Sequence, residues 1–144
     1  MLADASDKNL ASMASTLTQG GKRRILAQRY LSGKKSGDRR ILLLDGNPIG
    51  IFERVPAATD FRANLGLGAA MRRAVMTSDE KKLLGVVAPA LVELGLHFTG
   101  LDVLDGKLIE INVTSPSGIP EVNELYGRRI EREIADFIER RLKR

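Results

Sequence analysis

The chain has no cysteine among its 144 residues. That absence excludes disulfides, thiolate metal sites and a cysteine nucleophile, and it agrees with our expectation of a cytoplasmic protein. No run of about 18 apolar residues occurs, so we expect no membrane span. The first residues lack the basic flank and apolar stretch of a secretion signal. Tryptophan is also absent, and four phenylalanines and two tyrosines offer little surface for stacking on bases.

Positive charge is in modest excess, with 23 lysines and arginines against 18 acids and a formal net charge of +5. An excess of this sign favours an anionic partner such as a nucleotide, a nucleic acid or an acidic lipid. The basic residues are dispersed in small clusters, and the last cluster suits a helix C-terminus. A basic nucleic-acid-binding module therefore remains an alternative that the dispersed charge and the few aromatic residues disfavour.

The length predicts a single domain over residues 1–144 with a substantial core. Apolar periodicity and turn residues predict, in order, a helix over Lys8–Thr18, a strand over Arg24–Tyr30, a hairpin of Arg39–Leu44 and Pro48–Arg54, a helix over Asp79–Leu94 capped by Ser78 and Gly95, a hairpin of His97–Leu104 and Lys107–Val113, and a helix over Pro120–Leu142. Residues 56–77 show no clear period. Hairpins between helices predict the α+β class, an antiparallel sheet with helices packed on one side.

The second hairpin carries oxygen-bearing side chains at regular spacing. Glu110 and Asn112 are two residues apart, so on a strand they share one face. Ile109, Ile111 and Val113 fall on the other face, which we expect to be core.

The register of this hairpin decides where Asp102 lies. A strict two-residue turn at Asp105-Gly106 would point Asp102 away from Glu110. A three-residue connection or a glycine bulge would instead pair Asp102 with Glu110. It would also pair Val103 with Ile109 and Leu101 with Ile111. We choose this second register because it sets apolar residues opposite apolar residues and keeps Asp102 out of the core.

Two carboxylates that face each other repel unless a cation lies between them. Asp102, Glu110 and Asn112 all offer oxygen, which is the ligand that magnesium prefers. The hairpin therefore outlines a site for a hard cation, and the alternative is a solvated sheet face.

Other candidates are less specific. Arg39 and Arg40 alternate on a strand, so one is a candidate clamp for phosphate or carboxylate and the other a surface charge. Arg62 and Asn64 lie in the stretch without a period and could be ordinary solvated side chains. His97 is the single histidine, so a structural role is expected and no catalytic triad can be built. Neither a Walker motif nor a dinucleotide-binding fingerprint is present.

The second hairpin and three further segments resemble a known family. The run of Gly100–Asp102 with Glu110–Pro116 resembles the C-terminal signature of prokaryotic glutathione synthetase, an ATP-grasp ligase. Three other segments are similar to its hinge strand, its next hairpin and its Arg-Gly-Asn-Leu segment: Ala27–Leu31, Gly37–Gly46 and Arg62–Leu65, where Ala63 replaces glycine. The resemblance as a whole covers residues 10–125.

The resemblance implies a reaction, the joining of γ-glutamylcysteine to glycine with ATP through an acyl-phosphate. It implies that Asp102, Glu110 and Asn112 hold magnesium, and that Arg40 faces the terminal phosphate with Arg62 nearby as a second catalytic residue. It further implies a nucleotide-binding set: Gln28, Arg29, Tyr30, Leu31 and Asn64. Phosphoryl transfer needs positioning and charge neutralisation more than a protein nucleophile, which agrees with these residue types.

The resemblance covers only the C-terminal part of the family. The N-terminal substrate domain and the first ATP-grasp lobe, with its glycine-rich phosphate loop, have no counterpart in these residues. We therefore expect the isolated chain to be incomplete for catalysis. The family's association with homo-oligomers adds self-association as an expectation. Another ATP-grasp carboxylate–amine ligase, such as a peptide-tail or D-alanine ligase, is the alternative enzyme.

Overall fold

The computed structural model describes residue 4 and residues 6–31, 38–55 and 70–143. The chain divides into two compact units, Met1–Ser32 and Gly33–Arg144. We call these unit 1 and unit 2. The single domain expected from its length stays a prediction. None of the helices in the described ranges is long and apolar enough to cross a membrane.

The described residues of unit 1 form one helix and an irregular segment. Helix α1 spans Leu10–Thr18, close to its prediction, and ends at Gln19 in a left-handed conformation with a φ of 52°. The strand predicted over Arg24–Tyr30 is wrong, because residues 24–31 have no regular secondary structure. A strand needs a neighbour to accept and donate its backbone hydrogen bonds, and the described part of unit 1 contains no strand.

Unit 2 is built on a five-stranded antiparallel sheet in the order β3-β2-β1-β4-β5. The strands are β1 (Asp38–Leu44), β2 (Asn47–Val55), β3 (Ala70–Arg73), β4 (Phe98–Leu104) and β5 (Lys107–Asn112), and the helices are α2 (Ser78–Glu93), α3 (Ile119–Tyr126) and α4 (Ile130–Leu142). Both predicted hairpins and the α+β class are confirmed. Strand β3 lies in the stretch where no element was predicted.

The helices pack on both faces of the sheet, so the expectation of helices on one side is wrong. The first apolar cluster, under α2, contains Ile41, Leu43, Leu84, Ala88, Leu91, Leu101 and Val103. The second cluster, under α3 and α4, contains Leu42, Leu44, Ile49, Phe52, Val122 and Ile130. Consecutive residues of β1 belong to different clusters because side chains alternate across a strand. Its continuous run of apolar residues is typical of a strand that is buried on both faces.

Two helix boundaries differ from the prediction. The N-cap of α2 is Thr77 rather than Ser78, in a capping box: Thr77 Oγ1 accepts from the Glu80 amide at 3.2 Å, and Glu80 Oε2 accepts from the Thr77 amide at 2.7 Å. The single helix predicted over Pro120–Leu142 breaks at Gly127, where φ is 63°. Helix α4 restarts at Ile130, whose amide donates to Asn123 Oδ1 at 2.9 Å.

Strand β5 forms one edge of the sheet, and its outer apolar residues are not core. Ile111 and Val113 are exposed, so their predicted burial is wrong. Leu108, nearer the turn, packs against the first cluster instead. An edge strand has a neighbour on one side only, which leaves part of its side chains uncovered.

Candidate functional site

The register of the second hairpin brings the predicted ligands to one face. Leu104 pairs with Lys107 and Val103 with Leu108, so the turn at Asp105-Gly106 has two residues. The register then shifts, which leaves Ile109 as an extra residue on β5. Beyond this bulge the partners are Asp102 with Glu110, Leu101 with Ile111 and Gly100 with Asn112.

The bulge corrects part of the prediction and confirms the rest. The pairings of Asp102 with Glu110 and of Leu101 with Ile111 are confirmed, whereas Val103 does not pair with Ile109. An extra residue on one strand reverses the faces of the residues that follow it. A two-residue turn and a shared face for Asp102 and Glu110 are therefore compatible.

Four charged side chains meet on the sheet face of the second cluster. We call Asp38, Arg40, Arg54 and Asp102 the ionic cluster. Asp38 is the register partner of Arg54, and Arg40 is the register partner of Asp102. Charges of both signs balance within this set.

Asp102 is the acceptor on which both arginines converge. Its side chain is 6% exposed. Arg40 holds it with two contacts, Nε to Oδ1 at 2.5 Å and Nη2 to Oδ2 at 3.0 Å. Arg54 Nη2 lies 3.1 Å from Asp102 Oδ2 and 2.7 Å from Asp38 Oδ1. The positive charge beside Asp102 is therefore supplied by two guanidinium groups in this structure.

Burial and pairing act in opposite directions on these groups. Burial raises the pKa of Asp38, although the hydrogen bond and charge of Arg54 act to lower it. Burial lowers the pKa of Arg54, but the hydrogen bonds and charges of Asp38 and Asp102 more than offset this effect, so its pKa is raised. Arg54 therefore stays charged, and its buried Nε has no hydrogen-bond partner in the described ranges.

Arg40 also ties the loop after β5 to the ionic cluster. Its Nη1 donates to the Ser117 carbonyl at 3.0 Å and to Ser117 Oγ at 3.3 Å. Gly100 leaves room for this side chain, because a Cβ there would lie 3.2 Å from Arg40 Nη1 and 3.0 Å from Pro116 Cβ. The absence of a side chain at Gly100 thus allows the guanidinium to cross β4.

Arg39 faces the other side of the sheet. Its Nη1 donates to Glu80 Oε2 at 3.1 Å and to the Val75 carbonyl at 3.0 Å. The side chain of Glu80 is fully buried, and that of Arg39 is 12% exposed. Arg39 therefore anchors α2 to β1, and the expectation that it is a surface charge is wrong.

Glu110 and Asn112 complete the predicted ligand set. Glu110 is exposed, and no ion pair joins it to another residue in the described ranges. The Asn112 amide nitrogen faces the Gly100 carbonyl at 3.5 Å, which leaves Oδ1 as an acceptor. The described residues contain no group of three or more histidines, cysteines and acids suited to a metal. The predicted set does not meet this description, because Asp102 and Glu110 are carboxylates and Asn112 is an amide.

The remaining predicted site residues lie outside the described part of unit 2. Gln28, Arg29, Tyr30 and Leu31 lie in the irregular part of unit 1. Arg62 and Asn64 lie outside the described residues.

His97 has the structural surroundings that its isolation in the sequence predicts. Its Nδ1 lies 2.9 Å from Asp45 Oδ1, and its Nε2 lies 2.5 Å from Arg141 Nη2. The ring thus connects the turn after β1 with α4.

Arg54 belongs to the site but was not singled out from the sequence. The sequence feature that could have identified Arg54 is its position on the return strand of the first hairpin. It lies on the same side as buried Phe52, two residues away, and opposite Asp38. A charged residue in line with a buried aromatic residue indicates a partner of opposite charge.

The fold defines a class of protein. A D-alanine–D-alanine ligase from Bacillus anthracis, solved in complex with ATP, superposes with a TM-score of 0.63 at 17% identity, covering 95% of this chain and 47% of that chain. A second structure of the D-alanine–D-alanine ligase from Bacillus anthracis gives a TM-score of 0.60 at 18% identity, over 95% of this chain and 49% of that chain. The chain therefore has the fold of part of an ATP-grasp ligase.

The sequence defines the family within that class. Residues 1–127 match the family of the prokaryotic glutathione synthetase ATP-grasp domain. The glutathione synthetase of Synechocystis sp. is 40% identical over 137 residues, which cover 95% of this chain and 43% of the relative. That of Pseudomonas putida is 41% identical over 140 residues, with 96% and 44% covered. The chain belongs to the prokaryotic glutathione synthetase family, and it spans less than half the length of these curated relatives.

Proposed function

We propose that this chain forms one wall of a magnesium- and ATP-dependent ligase site, in an enzyme that joins γ-glutamylcysteine to glycine through an acyl-phosphate. The observation that carries the proposal is the pairing of Asp102 with Glu110 beside Arg40 and Arg54, in a chain whose residues 1–127 match the family. We propose a cytoplasmic location and a homo-oligomeric enzyme on the family resemblance alone.

Asp102, Glu110 and Asn112 are proposed as the magnesium ligands. They fit a hard cation because all three offer oxygen and because Glu110 is exposed without an ion pair in the described ranges. Asp102 already accepts hydrogen bonds from two arginines. A carboxylate has about four lone-pair sites, so it can bind the arginines and a cation together. A bound magnesium ion would neutralise charge on the ATP phosphates.

Arg40 is proposed to stabilise the charge of the transferred phosphoryl group, together with Arg62. Cations that the protein already holds in place need no rearrangement during the reaction, and they act most strongly where water is excluded. Asp102 and Ser117 hold Arg40 in this way, and Asp38 and Asp102 hold Arg54. The Nε of Arg54, which has no hydrogen-bond partner among the described residues, supports a role for Arg54 in the same site.

The nucleotide base is proposed to contact Gln28, Arg29, Tyr30 and Leu31, with Asn64 nearby. This assignment rests on the family match, which includes residues 28–31 and residue 64. Because the chain covers 43% of the Synechocystis relative, complete turnover is proposed to need the part of the enzyme outside the match. The chain alone is then expected to bind magnesium–ATP weakly.

The metal site is tested by titrating magnesium–ATP into the 144-residue chain by calorimetry. We expect Glu110→Ala and Asp102→Ala to weaken binding about tenfold or more, since outer partners of a metal site alone are worth 10–100-fold. Glu93→Ala is the matched control, because Glu93 is an exposed acid on α2. Helix α2 packs against the opposite face of the sheet. Unchanged affinity in both site variants would contradict the proposal.

The substrate is tested separately in a chimera in which this chain replaces the matching part of the Synechocystis enzyme. We expect phosphate release from ATP with γ-glutamylcysteine plus glycine and none above background with D-alanine. The reverse pattern would identify the chain as part of a D-alanine ligase.

A further inference from the structure

We infer that the outward side of α2 binds the same side of a second copy of this chain, with the two helices antiparallel. The inference names a surface for the proposed homo-oligomer and rests on that part of the proposed function. It does not depend on the magnesium–ATP site, because α2 packs against the other face of the sheet. A dimer through α2 leaves the site face open, so dimerisation is not expected to change magnesium–ATP binding.

Helix α2 is apolar on two opposite sides. Leu84, Ala88 and Leu91 pack into the first cluster on the side that faces the sheet. On the outward side, Val86 is 76% exposed and Pro89 is exposed as well. A helix that is apolar on all sides is normally buried on all sides. The outward side of α2 is therefore a surface that is suited to a further partner.

The outward residues follow the spacing of a contact between two helices. They form one line along α2, which we call the outer stripe: Lys82, Val86, Pro89 and Glu93. Steps of four, three and four residues separate them, and this alternation is typical of the line along which one helix packs on another. The periodicity of the outer stripe thus indicates a helix as its partner.

The charges of the outer stripe are complementary to those of an antiparallel copy. In that orientation Lys82 lies opposite the partner's Glu93, and Val86 lies opposite the partner's Pro89, because both pairs share one midpoint on the helix. The contact then has an apolar centre and an ion pair at each end. A parallel copy would instead set lysine against lysine and glutamate against glutamate, and like charges repel. The charges therefore favour a second copy in the antiparallel orientation.

Both charges of the outer stripe are available to a partner. The side chain of Lys82 is 80% exposed, and its ion pair with Asp79 is 3.7 Å long. An exposed pair of this kind contributes little, so Lys82 can exchange it for another. Glu93 is exposed, and no ion pair joins it to another residue of the described part of the chain. A Cβ at the neighbouring Gly85 would meet open space, so a second helix can approach closely there.

Sedimentation equilibrium of the 144-residue chain tests the contact, without nucleotide or magnesium and at concentrations up to about 500 µM. We expect a monomer–dimer equilibrium. Val86→Lys is expected to weaken the dimer about tenfold or more, because it places two like charges in the apolar centre. Leu142→Lys is the matched control, since Leu142 is 81% exposed on α4, and it is expected to leave the affinity unchanged.

An exchange of charges tests the pairing itself. Lys82→Glu and Glu93→Lys are each expected to weaken the dimer about tenfold, because each sets like charges together at both ends of the contact. The double variant is expected to restore the affinity of the wild type. Neither substitution opposes the helix dipole, because the new acid lies nearer the N-terminus of α2 and the new base lies at its C-terminus. The fold is therefore expected to tolerate both.

The absence of cysteine from the chain allows the orientation to be determined by cross-linking. An oxidised mixture of Lys82→Cys and Glu93→Cys chains is expected to form a disulfide, whereas Lys82→Cys alone is not. In the antiparallel contact the two copies of residue 82 lie about 16 Å apart along the helix axis. A disulfide spans a Cα separation of only about 7 Å.

Four results would overturn the inference. They are a monomer at every concentration, a Leu142→Lys dimer no tighter than the Val86→Lys dimer, a double variant that does not regain affinity, and a disulfide in Lys82→Cys alone. The last result would identify a parallel contact. Because nucleotide and magnesium are omitted, a failed magnesium–ATP titration would contradict the proposed function and leave this result untouched.

Discussion

At the scale of single residues, Asp102 combines a structural task with its proposed ligand role. Its buried carboxylate pairs with Arg40 and Arg54 and lies opposite Glu110. Removing it would leave two largely buried guanidinium groups with fewer counter-charges. An uncompensated buried charge is far more costly than the loss of an exposed pair.

Asp102→Ala is therefore expected to lower the free energy of unfolding by roughly 3–5 kcal/mol. Urea denaturation at neutral pH measures this change. Glu139→Ala is the control, because Glu139 is exposed and its pair with Lys143 is 3.7 Å long, so no measurable change is expected. A loss below about 1 kcal/mol for Asp102→Ala would show that the ionic cluster contributes little to stability.

Two threonines are expected to respond in opposite ways to the same substitution. Thr99 is 1% exposed, and its Oγ1 has no hydrogen-bond partner in the described ranges, so Thr99→Val is expected to stabilise the chain by about 1 kcal/mol. Thr77 caps α2, so Thr77→Val is expected to cost about 1 kcal/mol. Thermal unfolding of both variants checks the pair. A destabilising Thr99→Val would mean that its hydroxyl is satisfied.

At the scale of elements, the junction of α3 and α4 is held by polar side chains. Asn123 Oδ1 accepts from the Ile130 amide, and its Nδ2 donates to Glu131 Oε2 at 2.6 Å. Arg129 Nε donates to Glu131 Oε1 at 2.9 Å. Hydrogen bonds from Arg129 and then from Asn123 lower the pKa of Glu131 from 4.5 to about 2.

A carboxyl group with a lowered pKa stabilises the fold when it is ionised. The contribution of Glu131 is expected to be complete above its ordinary value of 4.5 and to disappear as the pH falls to about 2. The stability difference between the wild type and Glu131→Gln should therefore be constant at neutral pH and shrink across this acid window. Urea midpoints measured at several pH values check the trend. A difference that grows on acidification would have the wrong sign.

The elements that the sequence predicted correctly are those with a local signal. The Asp-Gly turns after β1 and β4 predicted both hairpins because they favour positive φ, which Asp45 and Asp105 adopt. Strand β3 has four residues on a sheet edge and no pattern of its own. Gly127 interrupts an apolar period that continues on both sides, so the break in the last helix had no strong signal.

The candidate site was predictable in part for the same reason. Spacing along β5 and pairing rules placed Asp102, Glu110 and Asn112 together. Arg54 was missed because its partners, Asp38 and Asp102, come from β1 and β4 and are set by the order of the strands in the sheet. The bulge at Ile109 was not predicted, because the chosen register needed a three-residue connection or a glycine bulge and paired Ile109 with Val103, and a bulge depends on packing against the neighbouring strand.

At the scale of the whole molecule, the two units differ in how they are stabilised. Unit 2 has an apolar cluster on each face of its sheet, whereas none of the described residues of unit 1 is buried. The proposed metal ligands and Arg40 all lie in unit 2, and the proposed base contacts lie in unit 1. Phosphate and metal binding are thus expected to depend on the more stable part of the chain.

The central claim is that a metal–nucleotide complex binds on the sheet face of Asp102, Glu110 and Asn112. Paramagnetic broadening of backbone amide signals by Mn²⁺–ATP, with Mg²⁺–ATP as the diamagnetic reference, tests it most directly. We predict that the signals of these three residues broaden first and that the signal of Glu93, on α2 against the opposite face, persists. Broadening that begins on α2, or that spares Glu110 and Asn112, would contradict the account.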